Sequence, residues 1–123
     1  MIPISERLEA AWSATSSLLC VGLDPEPSRF PSQFGTDADS ILEFCREIVD
    51  ETKDLVCAYK PQIAYFAASG AESALERIIV HIRDAAPHVP VILDSKRGDI
   101  GPTAEQYARE AFDRYGADAV TVS

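Results

Sequence analysis

Val91-Ile92-Leu93-Asp94-Ser95-Lys96-Arg97-Gly98-Asp99-Ile100-Gly101-Pro102-Thr103 is the stretch from which the fold is read. Its front end belongs to an apolar run, Val89 to Leu93, broken only by Pro90. Such a run between turn residues reads as a strand buried on both faces, as in a parallel sheet. At the C-terminal end of that strand come Asp94, Lys96 and Asp99. Residues two apart in a strand share a face and lie roughly 7 Å apart along it, so Asp94 and Lys96 are expected to project together. Gly98 and Gly101 let the backbone turn, and Pro102 suits the first position of a following helix. Charges at the mouth of a buried strand are costly unless they pair or meet a ligand. An arbitrary D-x-K-x-x-D is more often a strand-end salt bridge than a site. A second lysine, Lys60, ends an earlier strand in the same way, and this shifts the weight toward a site.

Outward from this stretch, the chain alternates strands and helices. Residues 3–15 carry a helical stripe, Ile4, Leu8, Ala11 and Trp12, with Ser5 as the expected N-cap. Residues 18–23 form the first strand, with Asp24 at its end and a loop marked by Pro25, Pro27, Pro31 and Gly35. A helix is expected over 38–53, with Ile41, Leu42, Phe44, Cys45, Ile48 and Val49 as its stripe. Leu55 to Tyr59 reads as the second strand, stopped by Pro61, and 62–68 as a short helical turn. A helix over 71–85 turns Leu75, Ile78, Ile79 and Ile82 inward. The third strand is 90–94, a helix follows over 102–115 with Gly116 as its C-terminal cap, and a fourth strand runs over 117–122. Strand and helix in alternation at this spacing imply parallel crossovers. Asp24, Lys60, Asp94 and Lys96 all fall at C-terminal strand ends. That edge holds the active site in a (β/α)8 barrel and the ligand in an open doubly wound sheet; periodicity does not separate the two. Gly22-Leu23-Asp24 lacks the G-x-G-x-x-G of a dinucleotide binder.

The chain has 123 residues, 46% of them hydrophobic, and a formal net charge of −9, which suits one domain, residues 1–123. The acidic balance argues against a nucleic-acid or membrane-surface partner, although local lysines can still take an anionic small substrate. Cys20, Cys45 and Cys57 are odd in number, apolar in setting and without C-x-x-C spacing, so they read as buried thiols of a reducing compartment. No apolar run is long enough to span a membrane and no signal-peptide pattern opens the chain, which leads to a cytoplasmic expectation. His81 and His88 have no second ligand at metal spacing. Ser95 faces away from Asp94 by strand alternation. Tyr59, Tyr65 and Phe66 read as core, and Arg97 as a loop charge also placed for an anion contact.

Three stretches carry a resemblance to a known family: Cys20-Val-Gly-Leu-Asp-Pro25, Tyr59-Lys-Pro-Gln-Ile-Ala-Tyr-Phe66, and Leu93 through Thr103. Together they resemble the orotidine 5′-phosphate decarboxylases, in the bacterial branch with a long proline-containing loop after the first strand. The resemblance implies a (β/α)8 TIM barrel, of which strands one to four are present here, and a carboxy-lyase of pyrimidine biosynthesis. Such an enzyme converts orotidine 5′-phosphate to uridine 5′-phosphate with neither metal nor organic cofactor. It further implies that Lys60, Asp94, Lys96 and Asp99 form an alternating charged array, and that Asp24 contacts the ribose. Ile100 and Thr103, with Asp99, would reach the neighbouring subunit's site in a homodimer. A complete barrel needs about 250 residues. A piece of a longer polypeptide is therefore expected rather than a free-standing half barrel, whose edges would stay unpaired. The phosphate-gripping residues of the family fall outside this chain.

The chemistry follows from the residue types. Loss of carbon dioxide from the pyrimidine ring leaves a carbanion with no adjacent carbonyl to delocalise it, so preorganised charge must stabilise it. A lysine ammonium does this and can supply the replacing proton; Lys96 is assigned that role, held by Asp94, with Lys60 and Asp99 completing the array. Two rivals share the pattern. Magnesium-dependent keto-gulonate phosphate decarboxylases and hexulose phosphate synthases carry D-x-K-x-x-D, but with a glutamate-bearing motif where Lys60-Pro61 stands. A half barrel that only associates with a partner is the non-enzymatic alternative.

Overall fold

The computed structural model describes residues 2–123. Helix α1 spans Ile4–Thr15, strand β1 Cys20–Leu23, and a 3-10 turn Pro27–Arg29; α2 spans Ala38–Thr52 and β2 Ala58–Pro61. Then come α3, Ile63–Ala68, α4, Glu72–Ala85, and β3, Ile92–Leu93. Helix α5, Gly101–Ala108, continues into a wider π-helical segment, Arg109–Arg114, before β4, Ala119–Val120. Among the described residues, no helix is long and apolar enough to cross a membrane.

The strands run parallel. β1 pairs with β2 from Cys20↔Ala58 to Leu23↔Pro61, and β3 with β4 at Ile92↔Ala119 and Leu93↔Val120. Bridges Tyr59↔Val91 and Gln62↔Asp94 join the two pairs, giving the consecutive order β1-β2-β3-β4. A doubly wound sheet reverses its strand order; these four strands do not. Side-chain alternation gives the strands two unlike faces. Leu23, Tyr59, Val91 and Leu93 join the main core with the apolar stripes of α2 (Ile41, Leu42, Cys45, Val49) and α4 (Leu75, Ile78, Ile79, Ile82). The opposite face carries Gly22, Ala58, Lys60, Ile92 and Asp94. At the N-terminal end of that face α1 lays down Ala11 against Cys57 and Ala58. Arg7 of α1 is fixed there by Asp118, Nη1 to Oδ1 2.6 Å, while Asp118 Oδ2 accepts from the Val91 N–H at 2.8 Å.

Local chemistry explains several boundaries. Asp37 caps α2, its carboxylate accepting from the Ser40 N–H at 2.8 Å; hydrogen bonding from the Ser40 side chain first, and from that N–H second, holds the carboxyl below its ordinary value. Gly116 takes φ +64°, as a helix C-terminal cap requires.

Several expectations need correction. Ser5 does not cap α1; Pro3 stands in that place without a side-chain bond, and Trp12 lies 40% exposed while Ala11 is buried. The second strand begins three residues later than expected. Leu55 is 59% exposed, and Pro61 lies inside the strand rather than stopping it, because its carbonyl still accepts from the Asp94 N–H at 2.9 Å. The last helix loses α geometry after Ala108: the Tyr115 N–H reaches back five residues, to the Glu110 carbonyl at 3.0 Å. Cys45 and Cys57 are buried, and burial pushes the Cys45 thiol up to about 12. Cys20 is exposed rather than buried.

Candidate active site

The C-terminal edge of the strands gathers a carboxylate between two ammonium groups. Asp94 extends β3 by one bridged position and is 3% exposed. Its Oδ2 accepts from Lys60 Nζ at 3.1 Å, and its Oδ1 from Lys96 Nζ at 2.7 Å and from Thr121 Oγ1 at 2.7 Å. Lys60 arrives from the neighbouring strand β2, where Gly22↔Lys60 and Gln62↔Asp94 set the register. The hydrogen bond from Lys96 is the main reason the Asp94 carboxyl falls to about 2. Burial opposes it, and Thr121 and Lys60 add to it. Lys60 is raised, chiefly by its bond to Asp94, with the nearby Asp24 carboxylate adding in the same direction. Asp94 is therefore ionised at neutral pH.

The two cations keep an open side. The Lys60 and Lys96 side chains are 39% and 63% exposed, against 4% for Asp94. Two exposed ammonium groups over one buried carboxylate present cationic donors on the open side, suited to an anionic ligand or a developing carbanion.

Lys96 reaches Asp94 by a route that strand alternation does not describe. Regular pairing has ended before it, and its backbone sits at φ +49°. The Ser95 and Lys96 N–H groups both donate to Thr121 Oγ1 at 3.0 Å, and Ser95 Oγ donates to the Thr121 carbonyl at 3.2 Å. Ser95 is thereby occupied by Thr121, one residue past β4, and makes no hydrogen bond to Asp94. The strand pattern alone does not mark Thr121 as a site residue. The available signal was its register: it follows Ala119 by two, and so shares the face of Ala58, Lys60 and Asp94.

The other expected residues are placed apart from this cluster. Asp24 is exposed at the end of β1 on the same edge. Asp99 does not join the Lys60–Asp94–Lys96 group; its Oδ1 accepts from the Ile100 N–H at 2.7 Å, within the exposed loop before α5. Ile100 is 84% exposed, and Thr103 is exposed in the first turn of α5. Arg97 is taken by an ion pair with Glu110 and lies over the Tyr107 ring, so it is not a free anion contact. His81 Nε2 lies 2.6 Å from Asp50 Oδ1, on the helical layer. A cavity of about 550 Å³ opens between the β3 exit and α5, lined by Leu93, Ser95, Asp99, Tyr107, Phe112 and Val122 among others. Lys60, Asp94 and Lys96 do not line it.

Residues 17–123 match the family described as orotidine 5′-phosphate decarboxylase / HUMPS. The chain is 66% identical to an orotidine 5′-phosphate decarboxylase of Verminephrobacter eiseniae, over 97% of this chain and 43% of that protein. It is 68% identical to another from Methylibium petroleiphilum, over 95% of this chain and 42% of that protein. Among solved structures, the OMP decarboxylase of Leishmania donovani superposes with a TM-score of 0.81 at 34% identity, covering 98% of this chain and 44% of that one. The UMP synthase of the same organism gives 0.82 at 33% identity, covering 99% of this chain and 25% of that one. The chain thus spans less than half the length of these curated relatives.

Proposed function

The chain belongs to the orotidine 5′-phosphate decarboxylase / HUMPS family, and on that premise we propose that it is the N-terminal half of a (β/α)8 barrel that decarboxylates orotidine 5′-phosphate to uridine 5′-phosphate. The observation that carries this reading is the buried Asp94 carboxylate held between Lys60 and Lys96. The strand order β1-β2-β3-β4, with the main helical core on one face, supports the barrel; the later strands would complete it.

In this reading the bond between the ring carbon and the carboxylate breaks heterolytically. Carbon dioxide leaves, and the electron pair stays on the ring carbon. The Lys96 ammonium stabilises that pair and delivers its proton to it, and solvent reprotonates the neutral amine. Asp94 holds Lys96 in place and faces the departing carboxylate. Lys60 supplies the second positive charge, and Asp24 the ribose contact. Asp99, Ile100 and Thr103 serve a neighbouring subunit, which makes the assembly a homodimer with shared sites; their exposure leaves them free for that role. Neither metal nor organic cofactor takes part, and the enzyme is cytoplasmic. Lys60-Pro61 separates this chemistry from that of the magnesium-dependent members of the superfamily.

The test uses the complete protein. Lys96→Ala is expected to lower the rate of uridine monophosphate release by about 10³-fold or more, with product binding by calorimetry largely kept. Lys96→Arg should not restore turnover, because a guanidinium does not give up a proton near neutral pH. Near-normal turnover in Lys96→Ala, or loss of wild-type activity on adding a chelator, would sink the assignment.

A further inference from the structure

The backbone that leaves β3 is held in a conformation it would not choose. Lys96 sits at φ +49°, in the left-handed region that a Cβ disfavours. Such a conformation persists only where the surroundings over-determine it. Here the constraint comes from one side chain of the neighbouring strand. A hydroxyl has one proton to donate and two lone pairs to accept with. Thr121 Oγ1 uses all of them: it accepts from the Ser95 and Lys96 N–H groups at 3.0 Å each and donates to Asp94 Oδ1 at 2.7 Å. Its direction is therefore fixed, since both lone pairs are taken by backbone donors and the proton can go only to the carboxylate. The Thr121 main chain adds to the hold, its carbonyl accepting from Ser95 Oγ at 3.2 Å and its N–H donating to the Leu93 carbonyl at 3.0 Å.

We infer that Thr121 is a positioning residue that sets the distance and direction between Asp94 and Lys96, an inference that rests on the decarboxylase reading of that pair. The clamp acts on both partners at once. It anchors the Asp94 oxygen to which Lys96 bonds, and it pins the amide of Lys96, from which that ammonium is launched. Without the hydroxyl, two backbone N–H groups lose their acceptor and the loop can relax toward negative φ, swinging the ammonium away from the reacting carbon. Groups that bind the nucleotide elsewhere are untouched, so the loss falls on the chemical step rather than on binding. Misplacing a reacting group by an ångström costs of the order of a hundredfold.

The experiment compares Thr121→Val, which keeps the shape and loses the hydroxyl, with Thr121→Ser, which keeps the hydroxyl, in the complete protein. Thr121→Val is expected to lower kcat roughly ten- to a hundredfold with KM within about twofold, and Thr121→Ser to recover most of kcat. Wild-type turnover in Thr121→Val would overturn the inference, as would equal losses in the two variants. Crystal structures of the wild type and Thr121→Val give a readout independent of activity. Lys96 is expected to leave the positive-φ region, and its contact with Asp94 to open. Retention of both would overturn the clamp. If the wild-type protein does not act on orotidine monophosphate, the functional proposal fails, and these two structures alone decide on Thr121.

Discussion

Asp94 is nearly closed off from solvent, yet it must stay ionised to hold two ammonium groups. Burial alone would push its carboxyl up; the bonds from Lys96, Thr121 and Lys60 outweigh burial and bring it to about 2, below the ordinary 3.8. A folded-state value below the unfolded one means stability that is present above the unfolded value and lost as pH falls through the folded one. That window runs from about pH 4 down to about pH 2 for Asp94, and the difference corresponds to about 2 kcal/mol at neutral pH. Unfolding free energies from urea titrations of the complete protein should fall with pH across this range, and the fall should shrink by that amount in Asp94→Asn. An unchanged profile in Asp94→Asn would show that the carboxylate contributes no linkage. Lys60 and Lys96 are partly solvated, so removing the carboxylate leaves cations that water can serve; the loss should stay below the about 3–5 kcal/mol of a wholly buried pair.

Between elements, Tyr59 ties β2 to α2. Its ring is fully buried, and its Oη donates to the Val49 carbonyl at 3.0 Å and lies 2.8 Å from Thr52 Oγ1. Tyr59→Phe keeps the packing and removes that bond, so it should cost about 1 kcal/mol in denaturant unfolding while leaving decarboxylation by the complete protein near wild type. A large loss of turnover with unchanged stability would instead make Tyr59 a part of the site. Its neighbour Lys60 was legible from the chain because a charged residue ending an apolar strand has few structural uses. Asp94 stands out for the same reason, whereas strand alternation puts Lys96 beside Asp94 by a path it does not take: its backbone turns through φ +49°. The second strand was misplaced because Leu55, Val56 and Cys57 form an apolar run; the run does not reveal that Leu55 lies 59% exposed, outside the pairing. The π-helical segment was hidden because a 3.6-residue pattern over 102–115 looks the same whether or not the last turn widens. Thr121 was hidden for a different reason: a threonine is an ordinary residue beside or within a strand, and only its register against Asp94 and Lys96 reveals its use.

At the scale of the whole molecule, Asp99, Ile100 and Thr103 stand on an exposed rim beside the site rather than in it. If they serve a second subunit, inactive Lys96→Ala and inactive Asp99→Ala proteins should complement when mixed. One site of each mixed dimer then carries both intact residues, so random exchange should restore about a quarter of wild-type activity; no recovery after proven exchange would exclude shared sites. The strands themselves make the further demand. The outer edges of β1 and β4 pair with nothing in the described chain, and Leu18, Leu19, Leu55, Phe112 and Val122 stand exposed. Open parallel edges next to bare apolar side chains are a template for association. Residues 1–123 produced alone should therefore elute from a sizing column as oligomers or aggregate, and Cys20 should become protected from alkylation in the complete protein. The same fragment should not release uridine monophosphate, because binding energy at the distant phosphate is what such an enzyme spends on organising the reacting end, and no phosphate grip is identified among these residues. A monodisperse, active monomer of residues 1–123 would overturn both the half-barrel reading and the need for the later strands.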